Sequence, residues 1–491
     1  MPPLPLAAAA VVVAASVSVA APAGAAPLRI AAKPKLQPSF KPSVTEYVSR
    51  CHPGKPLRLS IRAGSGVRIN GGRVVRGRFR VRMDMRSGEG VRVATKSRSY
   101  VIRCVADDFP RWTTERHGTP QARYYIVTPT LGPHGSRYVA VVDTHGVPVW
   151  WMRRKTKPHD AKLLPDGNIA WGTFINQAYA AFNVPYEEHR LDGTFVRRYA
   201  TRGVATDSHD LEFLPNGNRL QESYVPRDGV DLSAYGGPRS ATVTDAEVQE
   251  LTPRNKVVFR WNSRRHVALD EAQRLMQSII DGPIDTTDGL PAYDIVHINS
   301  VAPYGRNAIL ISMRQTDALY KVSLETGAIE WKLGGTQTPE SLTVTGDDGD
   351  PLVLGGQHDA RVLPDGTITV HDNRTGTGLQ PRALRFRIDD EARTATMIED
   401  LTDPATGDST CCGGARRLPG GDWVMAWGRN PLVTELTAAG RRVFGIRLPP
   451  NTTYSYRVDP VLPGRLRLRA MRRGMDAMHP PARRPVEIRR G

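Results

Sequence analysis

One hairpin motif recurs along this 491-residue chain and constrains its fold more than any other feature. Each copy is a short strand, a turn that contains Pro or Gly, and a second strand. Proline fixes φ in such turns, and Asp, Asn and Gly accept positive φ, so each copy predicts a β-hairpin. Four copies align and a fifth keeps the phase with a different turn: PHDAKLLPDGNIAWG from Pro158, SHDLEFLPNGNRLQES from Ser208, QHDARVLPDGTITVHD from Gln357, GGARRLPGGDWVMAWG from Gly413, and VHINSVAPYGRNAILIS from Val296.

The spacing of the hairpins predicts the blades of a β-propeller. Histidines that open the hairpins are 50 residues apart from His159 to His209, and 61 residues apart from His297 to His358. Periods of about 50 residues with four short strands each are typical of propeller blades. The longer interval between His209 and His297 contains LDEAQRLMQSII at 269–280, whose apolar residues share one helical face, and it predicts an inserted helix.

Further strand pairs lie between the hairpins, such as LYKVSLETGAIEWKLG at 319–334, and supply the outer strands of each blade. Counting these units predicts an all-β fold with a six-bladed β-propeller over residues 111–464. Residues 43–110 alternate polar and apolar positions with Gly-rich breaks, which predicts a small β-sandwich-like N-terminal domain before the propeller. Residues 26–42 are Pro- and Lys-rich and predict a linker, and the basic residues 465–491 predict a disordered tail.

The N-terminus predicts export. Residues 4–19 form an Ala/Val-rich run followed by Ala-Gly-Ala at 23–25, a signal-peptide pattern over residues 1–25, although no Lys or Arg precedes the run. We therefore expect a secreted or cell-surface protein, in which disulfides are favoured. Cys51 and Cys104 bracket the N-terminal domain and are expected to be bonded. The adjacent Cys411 and Cys412 form either a vicinal disulfide or two buried thiols.

Composition limits the partners. The net charge of +18 allows an acidic partner, but the basic residues are mostly scattered arginines without a nucleic-acid module, so no nucleic-acid binding is expected. No stretch of about 18 apolar residues follows the leader, so no stable membrane insertion is expected. The cysteines lack the spacing of a zinc site, and no metal or other cofactor is expected.

Four of the 12 histidines occupy one position of the repeat: His159, His209, His297 and His358. The innermost strands of a propeller line its central channel, so equivalent positions of different blades converge on the axis. Two alternatives to a catalytic ring stay open. Three of the histidines precede Asp and could pack blade against blade, and converging histidines could bind zinc or copper. The last copy has Gly413 where the others have His, and this variation argues against a purely structural role for the repeated histidine.

Several segments together resemble the bacterial arylsulfotransferase family. These are the inner-strand histidines, HINS at 297–300, ISMRQTDALYKV at 311–322 and GGQHDARVLPDGTITVHDN at 355–373, within a resemblance that spans 138–449. It implies a six-bladed propeller with a small N-terminal β domain. It also implies an aryl-sulfate sulfotransferase, independent of an adenylyl-sulfate donor, that moves a sulfuryl group from a phenolic sulfate ester to a phenol through a sulfohistidine.

The resemblance implies roles for five residues: His358 as the nucleophile that becomes sulfated, His209 as an active-site histidine, His297 and Asn299 as a His-x-Asn pair, and Arg314 as the active-site arginine. No role carries over to His159. Negative charge spreads over the sulfuryl oxygens during transfer, and Arg314 and Asn299 can bind them. Neutral histidine is a competent nucleophile near pH 7, and a second histidine can exchange the phenol's proton. The alternative function is a non-catalytic secreted propeller that binds a ligand or a protein.

Overall fold

Short strands are the main regular secondary structure of the described residues, as predicted. The computed structural model describes residues 27–132, 135–175, 183–285, 290–346, 349, 352–450, 453–480 and 487–490. The signal peptide predicted over residues 1–25 lies outside these residues. Where the chain is described, the strands form one eight-stranded module and six smaller sheets.

The N-terminal module contains seven strands that precede the propeller: β1 (Arg29–Lys33), β2 (Leu36–Gln37), β3 (Glu46–Arg50), β4 (Leu57–Ile69), β5 (Val74–Met83), β6 (Gly90–Ala94) and β7 (Ser99–Val105). Side chains along β4 are alternately buried and exposed over most of its length, because successive residues of a strand face opposite sides of the sheet. Cys51 follows β3, and Cys104 lies in β7, which pairs with β3. Their Cα atoms are 5.3 Å apart and the predicted disulfide is present.

The linker predicted over residues 26–42 is wrong for β1 and β2, because these residues form strands of the N-terminal module. β1 pairs antiparallel with β4, from Arg29 opposite Arg62 to Lys33 opposite Arg58, and β2 pairs with β3. The reason is that Ile30 and Leu36 are buried in the core of the module. A few apolar positions among the prolines and lysines are enough to add strands to an existing sheet.

The propeller strands up to the first insertion are β8 (Thr113–Arg116), β9 (Tyr124–Val127), β10 (Tyr138–Asp143), β11 (Pro148–Arg153), β12 (Lys157–Leu163), β13 (Ile169–Phe174), β14 (Tyr186–His189), β15 (Phe195–Tyr199), β16 (Leu211–Phe213), β17 (Arg219–Val230), β18 (Ala241–Leu251) and β19 (Val257–Asn262). From the innermost strand outward, β12 to β15 form one blade and β16 to β19 form the next. Each hairpin recognised in the sequence supplies the two inner strands of a blade.

The remaining propeller strands are β20 (Ile284–Asp285), β21 (Pro291–Asp294), β22 (Ile298–Tyr304), β23 (Ala308–Met313), β24 (Ala318–Ser323), β25 (Ile329–Gly334), β26 (Thr343–Thr345), β27 (His358–Val362), β28 (Ile368–Asp372), β29 (Arg382–Asp389), β30 (Thr394–Thr402), β31 (Gly414–Arg417), β32 (Trp423–Ala426), β33 (Leu432–Leu436), β34 (Arg442–Arg447) and β35 (Val458–Val461). Strands β22 to β25, β27 to β30 and β31 to β34 are three further blades. Strands β20, β21, β26 and β8 extend the outer parts of their neighbours.

The sixth blade closes the ring with strands from both ends of the propeller. Its order is β35, β9, β10 and β11, so the innermost strand comes from the C-terminal side. Val458 of β35 lies opposite Val127 of β9, and Val461 lies opposite Tyr124. The blades therefore form a closed ring only after the chain has been completed as far as β35.

The inserted helix predicted over residues 269–280 is confirmed. A 3₁₀ segment, Leu269–Leu275, runs into α1 (Met276–Asp281). Ala272, Met276 and Ile279 are buried in the cluster that also contains core residues of β17, β18 and β22 to β24. The insertion thus covers an outer face of the propeller between two blades.

The predicted disordered tail is wrong for most of its described residues. α2 (Leu468–Met478) packs on β11, and β36 (Glu487–Arg490) pairs with β5 of the N-terminal module. Met471 and Met475, one helical turn apart, are fully buried against the propeller. Arg472 pairs with Glu46. The many arginines concealed a narrow apolar stripe that is enough to dock a helix. Neither helix in the described part of the chain is long and apolar enough to cross a membrane.

A backbone irregularity at the start of two innermost strands separates the direction of His from that of the following Asp. The pairing register shifts between His159 and Lys162, and between His358 and Arg361. Asp160 and Asp359 adopt positive φ, of 43° and 60°. A bulge of this kind re-aims side chains at the edge of a sheet. The histidines line one side of this level of the channel, while the aspartates join a charge cluster.

That charge cluster is centred on Arg457, immediately before the closing strand β35. Its guanidinium lies 3.3 Å from Asp160, 3.5 Å from Asp210 and 3.4 Å from Asp359, three carboxylates from three blades. It also donates to the carbonyl oxygens of His209, at 2.9 Å, and Asn299, at 2.5 Å. All of these groups are buried. Other cations complete the pairing of the three carboxylates: Lys162 with Asp160 and Asp210, Arg361 with Asp210 and Asp359, and Arg416 with Asp359.

Replacing Arg457 should destabilise the whole propeller. We expect Arg457→Met to lower the free energy of unfolding by about 3–5 kcal/mol, because it removes the one cation that contacts all three buried carboxylates and leaves each of them with fewer charged partners. The measurement is equilibrium denaturation. Arg441→Met, at an exposed turn, is the control and should change stability by no more than about 0.5 kcal/mol. Equal denaturation midpoints for the two variants would show that the Arg457 cluster contributes nothing to stability.

Candidate active site

The four repeat histidines form an arc around the channel. Neighbouring ring centroids are 5.6 Å apart for His159 and His209, 5.2 Å for His209 and His297, and 6.1 Å for His297 and His358. His297 is 9% exposed and His358 only 1%. The sequence prediction that these positions converge on the axis therefore agrees with the geometry, and access from outside is greatest near His297.

Tyr456 fills the centre of the arc. Its ring centroid is 3.9 Å from that of His159, 5.6 Å from His209 and 6.1 Å from His358. The next residue along the chain is Arg457, the centre of the charge cluster. The dipeptide before β35 thus occupies the channel axis at two levels, with an aromatic ring among the histidines and a guanidinium among the aspartates.

His358 contacts backbone groups through both ring nitrogens. Nδ1 lies 3.2 Å from the carbonyl oxygen of Gly356, which makes Nδ1 the protonated nitrogen. Nε2 accepts a hydrogen bond from the backbone N–H of Cys412 at 3.2 Å. Asn373 fixes the two backbone segments that contact His358, since its amide donates to the Gly356 and Cys412 carbonyl oxygens at 2.8 and 3.0 Å. The lone pair on Nε2 therefore faces the loop that contains the cysteines.

Burial keeps His358 neutral. Desolvation lowers the pKa of His358 well below its ordinary value, and the neighbouring His297 and the charges of Arg314 and Arg457 lower it further. Burial likewise lowers the pKa of His159 to about 3 and that of His371 to about 4. At pH 7 the imidazole of His358 has an unprotonated nitrogen, which is what nucleophilic attack requires.

His209 and His297 are each held by a buried carboxylate. Nδ1 of His209 is 2.6 Å from Oδ2 of Asp207, and Nδ1 of His297 is 2.5 Å from Oδ2 of Asp294. Burial lowers the pKa of His297, although Asp294 opposes this shift. A carboxylate on Nδ1 fixes the ring orientation and directs Nε2 away from it, which is the arrangement of a histidine that exchanges protons with a substrate.

Arg314 lies beside the same histidines. It follows β23, and its backbone N–H donates to the His297 carbonyl oxygen at 2.9 Å. Its guanidinium donates to the Thr410 carbonyl oxygen at 2.6 Å and to Gln315. Gly356 packs close to it, because a Cβ there would be 3.6 Å from Nε of Arg314. A guanidinium in this position places fixed positive charge at the mouth of the arc.

Asn299 makes a contact that the sequence did not predict. Its amide donates to the Gln357 carbonyl oxygen at 2.9 Å, immediately before His358. Gln357 in turn donates to the carbonyl oxygens of Met313 and Ala318. Asn299 is fully buried, and within the described residues its Oδ1 has no hydrogen-bond partner. In this structure Asn299 fixes the start of β27, which positions His358.

Cys411 and Cys412 form a vicinal disulfide, which resolves the two alternatives left open by the sequence. Cys412 has a φ of 71°. Ser409 donates to the Cys411 carbonyl oxygen at 3.2 Å. The cross-link and this hydrogen bond hold the loop so that the Cys412 N–H points at Nε2 of His358.

Two glycines explain why one hairpin lacks the His-Asp pair. A Cβ at Gly413 would overlap the imidazole of His371, and a Cβ at Gly414 would lie 2.6 Å from Oδ2 of Asp359. His371, which pairs with His358 across the hairpin, occupies the space that a fifth repeat histidine would need. The channel is already filled at this blade, so only glycine fits.

An apolar wall borders the arc. Leu131, Cys412 and Tyr456 form a buried cluster against which Phe174 and Tyr454 pack with part of their rings exposed. The Phe174 ring centroid is 5.5 Å from that of His159. Phe174 and Tyr454 therefore present aromatic surface beside the histidines.

Sequence reasoning missed Asp207, Asp294, Asn373 and the Tyr456-Arg457 pair. One signal was available for Arg457: it lies six residues before Pro463, and each repeat histidine lies six residues before the proline of its turn. Asp294 precedes His297 by three residues and Asp207 precedes His209 by two, so no common spacing identifies them. Within the described residues, Asp207, His209 and Glu222 are the group whose donor atoms are close enough to hold a metal ion.

Comparison with known proteins places the chain in a family. A family model described as Arylsulfotransferase (ASST) matches residues 185–448, more than half of the chain. His159 precedes the matched segment. The segment contains the five residues to which the sequence resemblance gave roles: His209, His297, Asn299, Arg314 and His358. No curated protein matches the chain.

Several solved structures are similar to this chain at low sequence identity. A protein of unknown function from Bacteroides caccae is 10% identical, with a TM-score of 0.44, over 69% of this chain and 99% of that one. A catalytically inactive variant of virginiamycin B lyase from Staphylococcus aureus is 11% identical, with a TM-score of 0.35, over 70% and 89%. A periplasmic gluconolactonase from Pseudomonas aeruginosa is 10% identical, with a TM-score of 0.37, over 69% and 99%.

Adding one methyl group at Gly413 should disturb the arc. We expect Gly413→Ala to displace His371 and to lower the free energy of unfolding by about 1–3 kcal/mol more than Gly366→Ala does. Gly366 is the matched control, because it also has positive φ but no atom lies within 4 Å of the point where a Cβ would stand. Denaturation of both variants separates the steric cost from the cost of positive φ. Equal losses in the two variants would rule out the steric explanation.

Proposed function

The chain belongs to the arylsulfotransferase (ASST) family, and on that premise we propose that His358 carries the sulfuryl group between an aryl sulfate ester and a phenol. The observation that carries this proposal is the buried, neutral His358 beside His297 and the cation Arg314. Sulfuryl transfer needs an unprotonated nucleophile and positive charge for the transferred oxygens, and His358 and Arg314 would supply them.

In the first half-reaction the lone pair on Nε2 of His358 gives up its hydrogen bond from the Cys412 N–H and attacks sulfur. A nitrogen–sulfur bond forms and the sulfur–oxygen bond to the aryl group breaks. The bonding pair leaves on the phenolate oxygen, which takes a proton from His209 or His297, because the negative charge of the bound sulfate ester favours a protonated ring beside it. His358 keeps its proton on Nδ1, where the Gly356 carbonyl oxygen accepts its hydrogen bond. The products are a phenol and a sulfohistidine.

In the second half-reaction an acceptor phenol replaces the first one. The histidine that gave its proton removes the proton of the acceptor hydroxyl, and the phenol oxygen attacks sulfur. The nitrogen–sulfur bond breaks and the electron pair returns to Nε2. Asp207 and Asp294 stabilise the positive charge of His209 and His297 whenever these rings carry the extra proton.

We assign two hydrogen-bond donors to the sulfuryl oxygens. Arg314 offers a planar guanidinium that matches two oxygens of a sulfuryl group. The Cys412 N–H contacts Nε2 of His358 in the free enzyme, and a sulfuryl group on this nitrogen would bring an oxygen within reach of the same N–H. Asn299 serves this proposal by holding the strand that starts at His358.

The aryl group of donor and acceptor is assigned to the apolar wall that Phe174 and Tyr454 border. Edge or offset stacking on these rings would favour phenols over aliphatic alcohols. Export remains part of the proposal, and the two disulfides support it because disulfides persist in oxidising compartments.

Removing the nucleophile should abolish the covalent step. We expect His358→Ala to lower turnover of 4-nitrophenyl sulfate with a phenol acceptor by about 10⁴-fold or more, on the scale seen when other enzymes lose a nucleophile. Intact mass after incubation with the donor alone should show one sulfuryl group on the wild type and none on the variant. His117→Ala, at an exposed position, is the control. Wild-type turnover by His358→Ala would eliminate the nucleophile assignment.

Arg314 should depend on its geometry as well as on its charge. We expect Arg314→Lys to lower kcat/KM by about 10²–10³-fold, because lysine keeps the charge and loses the planar pair of donors. The control is Arg306→Lys in the exposed turn before β23, which should leave kcat/KM unchanged. If Arg314→Lys and Arg306→Lys have the same kcat/KM as the wild type, Arg314 does not bind the sulfuryl oxygens.

A further inference from the structure

A second carboxyl group lies behind the Asp207–His209 pair. Glu222 is on β17, the strand next to the one that follows His209, and it is fully buried. One carboxylate oxygen of Asp207, one of Glu222 and one ring nitrogen of His209 all lie within 4.8 Å of one another. The backbone N–H of Asp207 donates to the Glu222 carbonyl oxygen at 3.0 Å, which fixes the two residues against each other.

Three carboxyl oxygens in this cluster lack a hydrogen-bond partner among the described residues. They are Oδ1 of Asp207 and both Oε atoms of Glu222. Oδ2 of Asp207 already accepts from the backbone N–H and Nδ1 of His209, each at 2.6 Å. Buried polar atoms without partners are costly, and two ionised carboxylates at this separation would repel each other. A shared proton or a bound cation would resolve both problems.

The surroundings favour a proton over a metal ion. The charged and titratable groups that act on Glu222 are Asp207, Asp210, Arg361, Arg457 and Tyr456. Two of them are guanidinium groups, so a divalent cation would be placed close to existing positive charge. In addition, Oδ2 of Asp207 and Nδ1 of His209 are hydrogen-bonded to each other, so neither atom is free to bind a metal ion. Burial raises the pKa of Glu222 well above its ordinary value, and Asp207 and Asp210 raise it further.

We propose that Glu222 is a carboxylic acid that donates a hydrogen bond to Oδ1 of Asp207 and so positions the Asp207–His209 pair for proton exchange with the phenol. This rests on the proposed function for its catalytic consequence. The carboxyl pair then carries one negative charge in total, enough to stabilise protonated His209. Ionisation of Glu222 at high pH would add a second negative charge behind His209, and this charge would oppose the transfer of a proton from the ring to the phenolate.

Replacing Glu222 with glutamine distinguishes a carboxylic acid that donates a hydrogen bond from an ionised carboxylate. Glu222→Gln keeps an N–H that can donate to Asp207, so kcat should stay within about 3-fold of the wild type, whereas Glu222→Ala should lose about 10- to 100-fold. The alkaline fall in kcat that ionisation of Glu222 causes in the wild type should be absent from Glu222→Gln. The control is Glu250→Gln, a buried carboxylate of the same blade that accepts from Asn218. It should retain the wild-type pH profile.

Infrared spectroscopy tests whether Glu222 is protonated and needs no assay of sulfuryl transfer. The full-length protein at pH 7 should show a carboxylic-acid C=O band that Glu222→Gln loses and Glu250→Gln keeps. Metal analysis of the same samples should find no stoichiometric ion. Absence of the band, loss of activity in Glu222→Gln equal to that in Glu222→Ala, or a bound ion that Glu222→Gln loses would each overturn the proposal. A wild type that shows the band but transfers no sulfuryl group would refute the proposed function and leave Glu222 protonated.

Discussion

The pairing of Arg457 with three buried aspartates is the interaction on which the rest of the structure depends. Each aspartate belongs to a different blade, and the arginine precedes the strand that closes the ring. A guanidinium has enough donors to contact all three blades together with two carbonyl oxygens. Removing it would leave the three carboxylates with fewer charged partners in a buried site, at a cost of about 3–5 kcal/mol, a large part of the stability of a typical domain.

This interaction also determines where the histidines lie. In the His159 and His358 hairpins a bulge sends the aspartate towards Arg457 and the histidine to the level of Tyr456. Arg457 also fixes the starts of two further strands, since it donates to the carbonyl oxygens of His209 and Asn299. Stability and chemistry therefore share one segment of backbone, and a change at one level of the channel would be transmitted to the other through the strand starts.

Burial gives the histidines of the arc different environments. His358 contacts backbone groups, and its burial together with nearby positive charges keeps it neutral, whereas His209 and His297 contact carboxylates that can stabilise a protonated ring. Separating a neutral nucleophile from histidines that exchange protons is what a two-step transfer requires. Glu222 extends this pattern by one group, because a carboxyl behind Asp207 adjusts the charge that His209 experiences.

The sequence by itself determined the blades and the convergence of His209, His297 and His358, because a repeated hairpin places equivalent residues at equivalent points around an axis. Only the tertiary structure showed Arg457 with its aspartates, the carboxylates behind the histidines, and the amide of Cys412 on His358. These contacts join residues that are distant in the chain or irregularly spaced, so no local period reports them. The docking of α2 was hidden for a related reason: its few buried methionines acquire their meaning only from the surface they cover.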